Sequence, residues 1–600
     1  MYEFRRKRCN RFRLVSTKKR MDRKSFFQQI SSGRRESSPE QLSVTAIPAE
    51  QLAPRKQKQQ DAAQRTTGRL STGVTPYTGT FTEDQLRHLL RRTLFGFRKT
   101  ESDAFKGMTA SQVVDLLLTT STTAPTPPVN NYNSGTYTDP NVPAGSTWVN
   151  ASFTDGTANA LRNFSLKSWW MGLMLNQDAT ILEKMVLFWH NHFATEMDVV
   201  GDARYSYLTN AMLRKDAMGN VKTLVKDVTR DAGMLIYLNG YLNSKNAPDE
   251  NYARELQELF TVGKGPNSKY TEDDVKAVAK VLTGWRINRL SAPASAVYFD
   301  PTRHDTGNKT LSSFYGTSAV ITGRSGTNAG NDELNDLVDL LFAQRETALH
   351  ICRKLYRFFV YYDIDAQAEN DVIAPLADTF INSGFEIKPV LSQLLKSEHF
   401  FDSLNQGCMI KSPVDHIVGF LRQWNVAFPA SSNIPAQYGM WNDARAFCQI
   451  QGMDIGDPPS VAGWPAWYQV PSYYQLWINS DTFPKRNQFQ DLLISTGYTS
   501  RSGKIIADVY TFAQQLPNPE NADKLLDDSI KLLLPIPPDA TMRALLKANL
   551  LPGGIPDFNW TDEWNQYKNN PGNTLFKNIV YTKLIMLYKS IMNLAEYQLS

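Results

Sequence analysis

Apolar residues recur at helical spacing over most of the chain after about residue 80. In residues 82–96, Leu86 and Leu90 lie on one face, Thr82 is a good N-cap and Gly96 a stop. Similar patterns occupy residues 160–177, 179–193, 249–261, 271–284, 331–362 and 372–401. The two-residue period of a strand is rare, with AVYFD (296–300) and SAVIT (318–322) as short candidates. The pattern predicts a mainly α class: a large multi-helix globular fold with long loops and at most short strands.

The hydrophobic pattern also divides the chain into three parts. Residues 1–78 are rich in Arg, Gln, Ser and Pro and short of aliphatics, which predicts a disordered basic and polar tail. Residues 79–490 are expected to form the helical body. Residues 491–600 are expected to be a C-terminal helical extension packed on that body.

The positive charge of the chain is concentrated in its N-terminal tail. The net charge is +6, but residues 1–35 carry +11, so the remaining 565 residues carry −5. Nucleic-acid binding needs clustered basic groups, so we expect no nucleic acid partner for the body. No run of about 18 apolar residues occurs, so no membrane span is expected.

The N-terminus leaves localisation and the start codon open. RKSFF at residues 23–27 looks like a degenerate twin-arginine export signal, and Met21 could be a second start. No apolar stretch follows it, and a signal peptide needs one. A cytoplasmic protein is therefore expected, with export to the periplasm as the alternative.

The first candidate chemistry lies in residues 180–196, TILEKMVLFWHNHFATE, where His190 and His192 follow the most apolar amphipathic run. Positions i and i+2 of a helix diverge by about 200°, so a continuous helix separates the two rings. One alternative is therefore a buried, hydrogen-bonded His192 with a half-exposed His190. If the helix ends near Trp189 instead, the two rings share a face and could bind one metal ion.

Two further stretches carry ionisable groups. In NYARELQELF (251–260), Glu255 lies at the edge of an apolar stripe, where desolvation raises a carboxyl pKa as a general acid or base requires. A structural ion pair is the equal alternative. The loop FDPTRHDTGNKT (299–310) contributes His304 and Asp305, which suit zinc or iron, or a His–carboxylate pair around a metal.

A late Pro-rich segment concentrates aromatic residues. Its candidate ligand-binding side chains are Trp464, Trp467, Tyr468 and Trp477. Trp and Tyr are enriched at binding surfaces, and aromatic platforms stack on sugar rings. The alternative is a loop held against the core by its aromatic side chains. Walker A, GxSxG, HExxH and Rossmann glycine motifs do not occur in the sequence.

Five segments taken in order resemble the bacterial DUF1800 family, which is named for its lack of an assigned function. They are FWHNHF (188–193), ENYAREL (250–256), YTEDDV to LTGW (270–285), FDP with HD (299–305) and PPSVAGW (458–464). The resemblance spans residues 81–490 and the C-terminal helices, and it implies a large, mostly helical protein. Relatives often have His where Phe260 stands, which weakens any scheme that needs a third histidine there.

These observations are consistent with two candidate functions. The favoured one is a non-catalytic binding or scaffold protein that works with a DUF1501-type partner, as the family resemblance implies, or with a polysaccharide. The alternative is a metal-assisted hydrolase-like enzyme with zinc or iron on His190, His192, His304 and Asp305. Glu255 would be its catalytic base, activating a bound water.

Overall fold

Helices make up most of the part of the chain that this computed structural model describes, residues 73–153, 156–317 and 319–600. The twin-arginine-like stretch, Met21 and most of the predicted disordered tail (1–78) lie outside these residues. The last residues of that tail are part of the fold, since the Tyr77 amide donates to the Lys396 carbonyl at 2.8 Å. Pro76 also pairs antiparallel with Ser397.

The first group of helices leads up to and follows the two candidate histidines. They are α1 (Glu83–Thr93), α2 (Lys99–Ala104), α3 (Ala110–Leu117), α4 (Gly156–Asn176), α5 (Leu182–His192), α6 (Met197–Val200), α7 (Ala203–Lys215), α8 (Val221–Thr229) and α9 (Ala232–Tyr237). A second group surrounds the predicted Glu255 site. It comprises α10 (Asn251–Glu255), a π-helical turn (Leu256–Phe260), α11 (Glu272–Val281), α12 (Ala329–Ala343) and α13 (Arg345–Phe359).

The remaining helices form the C-terminal half. They are α14 (Ala366–Ala368), α15 (Ala374–Asn382), α16 (Ile387–Leu395), α17 (Glu398–Phe401), α18 (Pro413–Gln423), α19 (Ile434–Ile450), α20 (Thr482–Ser495), α21 (Val509–Gln514), α22 (Ala522–Leu533), α23 (Ala540–Lys547), α24 (Phe558–Asn569) and α25 (Thr574–Met592). A second π-helical turn, Glu369–Ile373, joins α14 to α15.

Strands occur only as short antiparallel pairs in the described residues. They are β1 (Trp285–Ile287) with β2 (Val297–Phe299), β3 (Lys309–Thr310) with β4 (Val320–Ile321), and β5 (Tyr498–Ser500) with β6 (Gly503–Ile505). In the first pair Trp285 faces Phe299 and Ile287 faces Val297. The predicted mainly α class with at most short strands is confirmed, and both predicted strand segments contain a strand.

Local sequence signals explain where several helices begin. Thr82 and Gln85 form a capping box at α1, and the side chain of Thr271 accepts a hydrogen bond from the Asp274 amide at the start of α11. Leu89 and Leu90 of α1 are fully buried, as the apolar stripe predicts. Capping and patterning together therefore set the first turn and the buried face of these helices.

The C-terminal helices belong to the same compact unit as the body, which spans Leu70–Ser600. The predicted boundary after residue 490 falls inside α20, and α20 and α21 both pack against α25. A single large hydrophobic cluster runs from Leu86 to Tyr597. Within the described residues, no helix is both long and apolar enough to cross a membrane.

Candidate functional site

The His-Asn-His turn (190–192) lies at the end of α5, which continues through both histidines. The two rings therefore point to different sides, as a continuous helix predicts. His190 is 3 % exposed, its ring lies 5.1 Å from that of Trp170, and burial lowers its pKa to about 4. The half-exposed His190 expected for a continuous helix is not found, because α5 is packed on both sides. On the same side, Glu183 is buried and pairs with Arg214.

Asn191, between the histidines, holds the aromatic segment in place. Its Oδ1 accepts a hydrogen bond from the Trp464 amide at 2.9 Å. The backbone of Gly463 packs directly on Asn191, because a Cβ at Gly463 would lie 2.5 Å from the Asn191 carbonyl oxygen. The turn and the aromatic segment, 273 residues apart in sequence, thus form one local structure.

His192 is buried and fully hydrogen-bonded. Its Nε2 lies 3.1 Å from the carbonyl oxygen of Phe260, and its Nδ1 lies 3.0 Å from Nζ of Lys354. Because a carbonyl only accepts, Nε2 carries the proton and Nδ1 accepts from the lysine. Burial, followed by the nearby Lys354 and His350, lowers the pKa of His192 well below its ordinary value, so the ring is neutral.

The carbonyl groups that contact these side chains end the π-helical turn Leu256–Phe260. The last carbonyls of a helix have no partner within the helix, and π-helical turns are frequent at functional sites. Here the Leu259 carbonyl oxygen lies 3.0 Å from both Lys354 Nζ and His350 Nε2. The turn therefore presents two acceptors, Leu259 O and Phe260 O, to His192, His350 and Lys354.

Lys354 is the unusual ionisable group of this cluster. It lies on α13 one turn after His350 and is partly exposed. Burial of the amine, and then the charge of Arg357, lower its pKa to about 7. Among the described residues, no carboxylate forms an ion pair with Lys354. We call Lys354, His192, His350 and the Leu259 and Phe260 carbonyls the amine site.

Glu255 lies one residue before the π-helical turn and is half-buried. Burial, and then the negative charge of Glu258, raise its pKa above the ordinary value. A raised carboxyl pKa is what a general acid or base requires near neutral pH. The neighbouring Arg254 is engaged elsewhere, with Glu272 at 2.7 Å and Glu250 at 3.1 Å, while its distance to Glu258 is 3.6 Å.

His304 lies in a separate buried network. Its Nδ1 is 2.9 Å from the Thr283 carbonyl oxygen and its Nε2 is 3.0 Å from Oε1 of Glu333. Lys309 Nζ donates to the other Glu333 oxygen at 2.6 Å, and all three side chains are fully buried. Both ring nitrogens of His304 therefore face protein acceptors. Asp305 stabilises the following turn, since its Oδ1 accepts from the Gly307 amide at 2.9 Å.

The predicted metal ligands are not brought together by these contacts. In residues 73–153, 156–317 and 319–600, no three His, Cys, Asp or Glu side chains are grouped so that they could hold a metal ion. His192 and His304 use their ring nitrogens on protein partners. The residues that the sequence offered for zinc or iron therefore do not fit such an ion.

The aromatic segment, residues 464–481, has a buried and an exposed half. Trp464 and Trp477 are 1 % and 5 % exposed, and Trp467 packs between them at ring distances of 5.8 and 5.4 Å. Of the four predicted binding residues, only Tyr468 is largely accessible, at 40 %. The tryptophans attach the segment to the core, and the exposed half remains available to a ligand.

The exposed half lies beside the C-terminal end of α13. Val470 and Leu476 are accessible, and the guanidinium of Arg357 lies 5.5 Å from the ring centre of Tyr473. The ring of Tyr362 lies 5.3 Å from that of Tyr473. We call this surface the aromatic face: Arg357, Tyr362, Tyr468, Val470, Tyr473, Tyr474 and Leu476.

Sequence reasoning missed Lys354, His350 and Arg357. A signal for them exists, because residues 350, 354 and 357 recur at i, i+4 and i+7, which is the spacing of one helix face. Nothing in the local sequence showed that this face meets His192. Glu333 could not be found either, since its partners His304 and Lys309 lie more than twenty residues earlier.

Comparison with known proteins places this helical fold in a family. A family model described as "Protein of unknown function (DUF1800)" matches residues 88–599. The chain belongs to the DUF1800 family, as the five sequence segments indicated. No curated protein and no solved structure matches the chain.

Proposed function

We propose that the protein is a non-catalytic binding protein whose ligand is an acidic polysaccharide, bound at the aromatic face. One observation carries this proposal: Arg357 lies over Tyr473 and, among the described residues, forms no ion pair with a carboxylate. A guanidinium without a carboxylate partner is suited to bind one from a ligand, because charge-assisted hydrogen bonds to carboxylates are strong and directional.

The exposed tyrosine rings would contact the sugar rings of the polysaccharide, beside the contact of Arg357 with its carboxylate. Tyr468 is accessible, and Tyr473 and Tyr474 are partly accessible on the same segment. Flat aromatic side chains offer a large contact area to a sugar ring while losing few rotamers. Amide groups of Gln469 and Gln475, both exposed, lie on the segment and can bond to hydroxyl groups.

The buried half of the segment keeps this surface rigid. Trp464 and Trp477 are buried, and the Thr482 hydroxyl donates to the Trp477 carbonyl at 2.9 Å. Tyr473 has φ of +41°, a conformation that a bulky residue adopts only when its surroundings impose it. A surface that is ordered before binding loses less entropy when a ligand binds.

Binding of oligogalacturonate, a chain of carboxylated sugar rings, tests this proposal by calorimetry. Tyr468→Ala should weaken binding about tenfold, since burying one large apolar side chain against a ligand contributes on the order of 1.5–3 kcal/mol. Tyr298→Ala is the matched control, because Tyr298 is 48 % exposed on β2. Absence of binding by the wild-type protein, or equal affinities for the two variants, would overturn the proposal.

The aromatic face could be found to bind a protein and not oligogalacturonate. That result would support the scaffold role with a DUF1501-type partner that the family resemblance implies, in place of polysaccharide binding. Metal-assisted hydrolysis receives no support from the ligand positions, since His192, His304 and Asp305 each bond to separate protein partners.

A further inference from the structure

The amine site contains a lysine whose hydrogen-bonding partners match a neutral amine. Lys354 Nζ lies 3.0 Å from His192 Nδ1 and 3.0 Å from the Leu259 carbonyl oxygen. A neutral amine has two N–H groups, and these two acceptors satisfy both. An ammonium group would carry a third N–H, for which the described residues provide no acceptor within the site.

The orientation of these two acceptors leaves the lone pair of the amine unused. With both N–H groups directed at His192 and Leu259, the lone pair of Nζ points away from them. His192 is itself fixed, because its Nε2–H donates to the Phe260 carbonyl at 3.1 Å. A nucleophile bonded to a base that a third group orients is the arrangement expected of an activated nucleophile.

Among the described residues, the side chains that face Lys354 carry no negative charge that would stabilise an ammonium ion. His192 faces it from α5, while His350 and Arg357 flank it on α13, and none of them is a carboxylate. Burial and the charge of Arg357 lower the pKa of Lys354 to about 7. At pH 7 about half of the amine is then unprotonated, whereas an ordinary lysine is unprotonated in only about one molecule in 2,500.

We infer that Lys354 is a nucleophile that binds an aldehyde covalently as an imine, with His192 as its positioning residue. Nζ attacks the carbonyl carbon to form a carbinolamine, and the C–O bond then breaks. The carbonyl oxygen leaves as water with the two protons of the amine, so no oxidant or reductant is required. His192 holds one N–H and keeps the lone pair directed away from both acceptors.

Reductive trapping tests this inference on the full chain. Glyceraldehyde with cyanoborohydride at pH 7 converts an imine into a stable secondary amine, and peptide mass mapping locates it. Lys354 should be labelled at least tenfold faster than Lys276, an exposed lysine whose pKa is raised by its hydrogen bond to Asp273. Labelling of Lys354 no faster than Lys276 would overturn the inference, and this comparison needs no variant.

Two variants at His192 separate positioning from simple packing. His192→Gln keeps an acceptor for Lys354, whereas His192→Leu does not. The expected result is slow labelling of Lys354 in His192→Leu and faster labelling in His192→Gln, in proteins with unchanged circular dichroism. Equal labelling in folded His192→Leu and wild type would contradict the role of His192. Polysaccharide binding is not involved, so failure here leaves the aromatic face untouched.

Discussion

His190 and His192 are both buried, yet their environments differ. His192 has a partner for each ring nitrogen, whereas Nε2 of His190 has none among the described residues. His190 lies instead between the rings of Trp170 and Trp464, at 5.1 and 5.9 Å. At the scale of single residues, the partners of a buried group decide its chemistry, and side chains two positions apart can differ completely.

Asp231 gives a residue-scale prediction about pH. It caps α9 and is 8 % exposed, with Oδ2 accepting from the Thr209 hydroxyl at 2.7 Å and the Met234 amide at 2.9 Å. Burial raises its pKa to about 6. The folded state therefore holds the proton more tightly than the unfolded state. Below about pH 4 the protonated Asp231 makes its whole contribution to the free energy of unfolding. This contribution, about 3 kcal/mol, is lost as the pH rises through 6.

Asp231→Asn should remove this pH dependence, because Asn is an equally good N-cap without a charge. The measurement is the free energy of unfolding by urea at pH 4.5 and pH 7 for both proteins. Asp300→Asn is a control that should leave the difference between pH 4.5 and pH 7 almost unchanged, since hydrogen bonds from Thr302 lower the pKa of Asp300 and it titrates below this range. Identical pH slopes in wild type and Asp231→Asn would show that Asp231 does not carry the effect.

Much of the residue-level chemistry could not be predicted from sequence, and the reason is physical. Capping pairs such as Thr271 with Asp274 are local, so three residues suffice to predict them. The partners of His192 are Phe260 and Lys354, which lie 68 and 162 positions away. Such contacts depend on tertiary packing, which hydrophobic periodicity does not specify.

At the scale of elements, the aromatic segment and the end of α5 act as one structure. Gly463 has φ of +89°, and a Cβ there would lie 2.3 Å from Oδ1 and 2.5 Å from the carbonyl oxygen of Asn191. Both segments stand out in the sequence as stretches of candidate functional residues. The physical link between them is this close approach, which only a residue without Cβ permits.

Gly463→Ala should therefore destabilise the protein by about 2–4 kcal/mol, combining a positive φ with a steric clash. Gly326→Ala is a matched control, because Gly326 has the same φ of +89° with nothing within 4 Å of its Cβ position. That control should lose only about 1–2 kcal/mol. Urea unfolding measures both, and equal losses would show that the contact with Asn191 is unimportant.

At the scale of the whole molecule, the helical class and the family were predictable, and residues 491–600 were expected to pack on the body. Helical periodicity indicates each helix separately, and it does not show which residues of the body contact residues 491–600. In the structure, Ile410 pairs with Leu599, and the Lys411 amide donates to the Gln598 carbonyl at 2.8 Å. These contacts tie the last residues to the loop before α18.

Recognition of a ligand carboxylate by Arg357 is tested most directly by the affinity ratio between oligogalacturonate and its methyl ester. The ester keeps the sugar rings and removes only the charge. Wild-type protein should bind the acid at least about tenfold more tightly, because a charge-assisted hydrogen bond contributes on the order of 1.5–3 kcal/mol. In Arg357→Gln the ratio should fall to about one, while affinity for the ester stays unchanged. A ratio near one in wild type, or an unchanged ratio in Arg357→Gln, would contradict the proposed function.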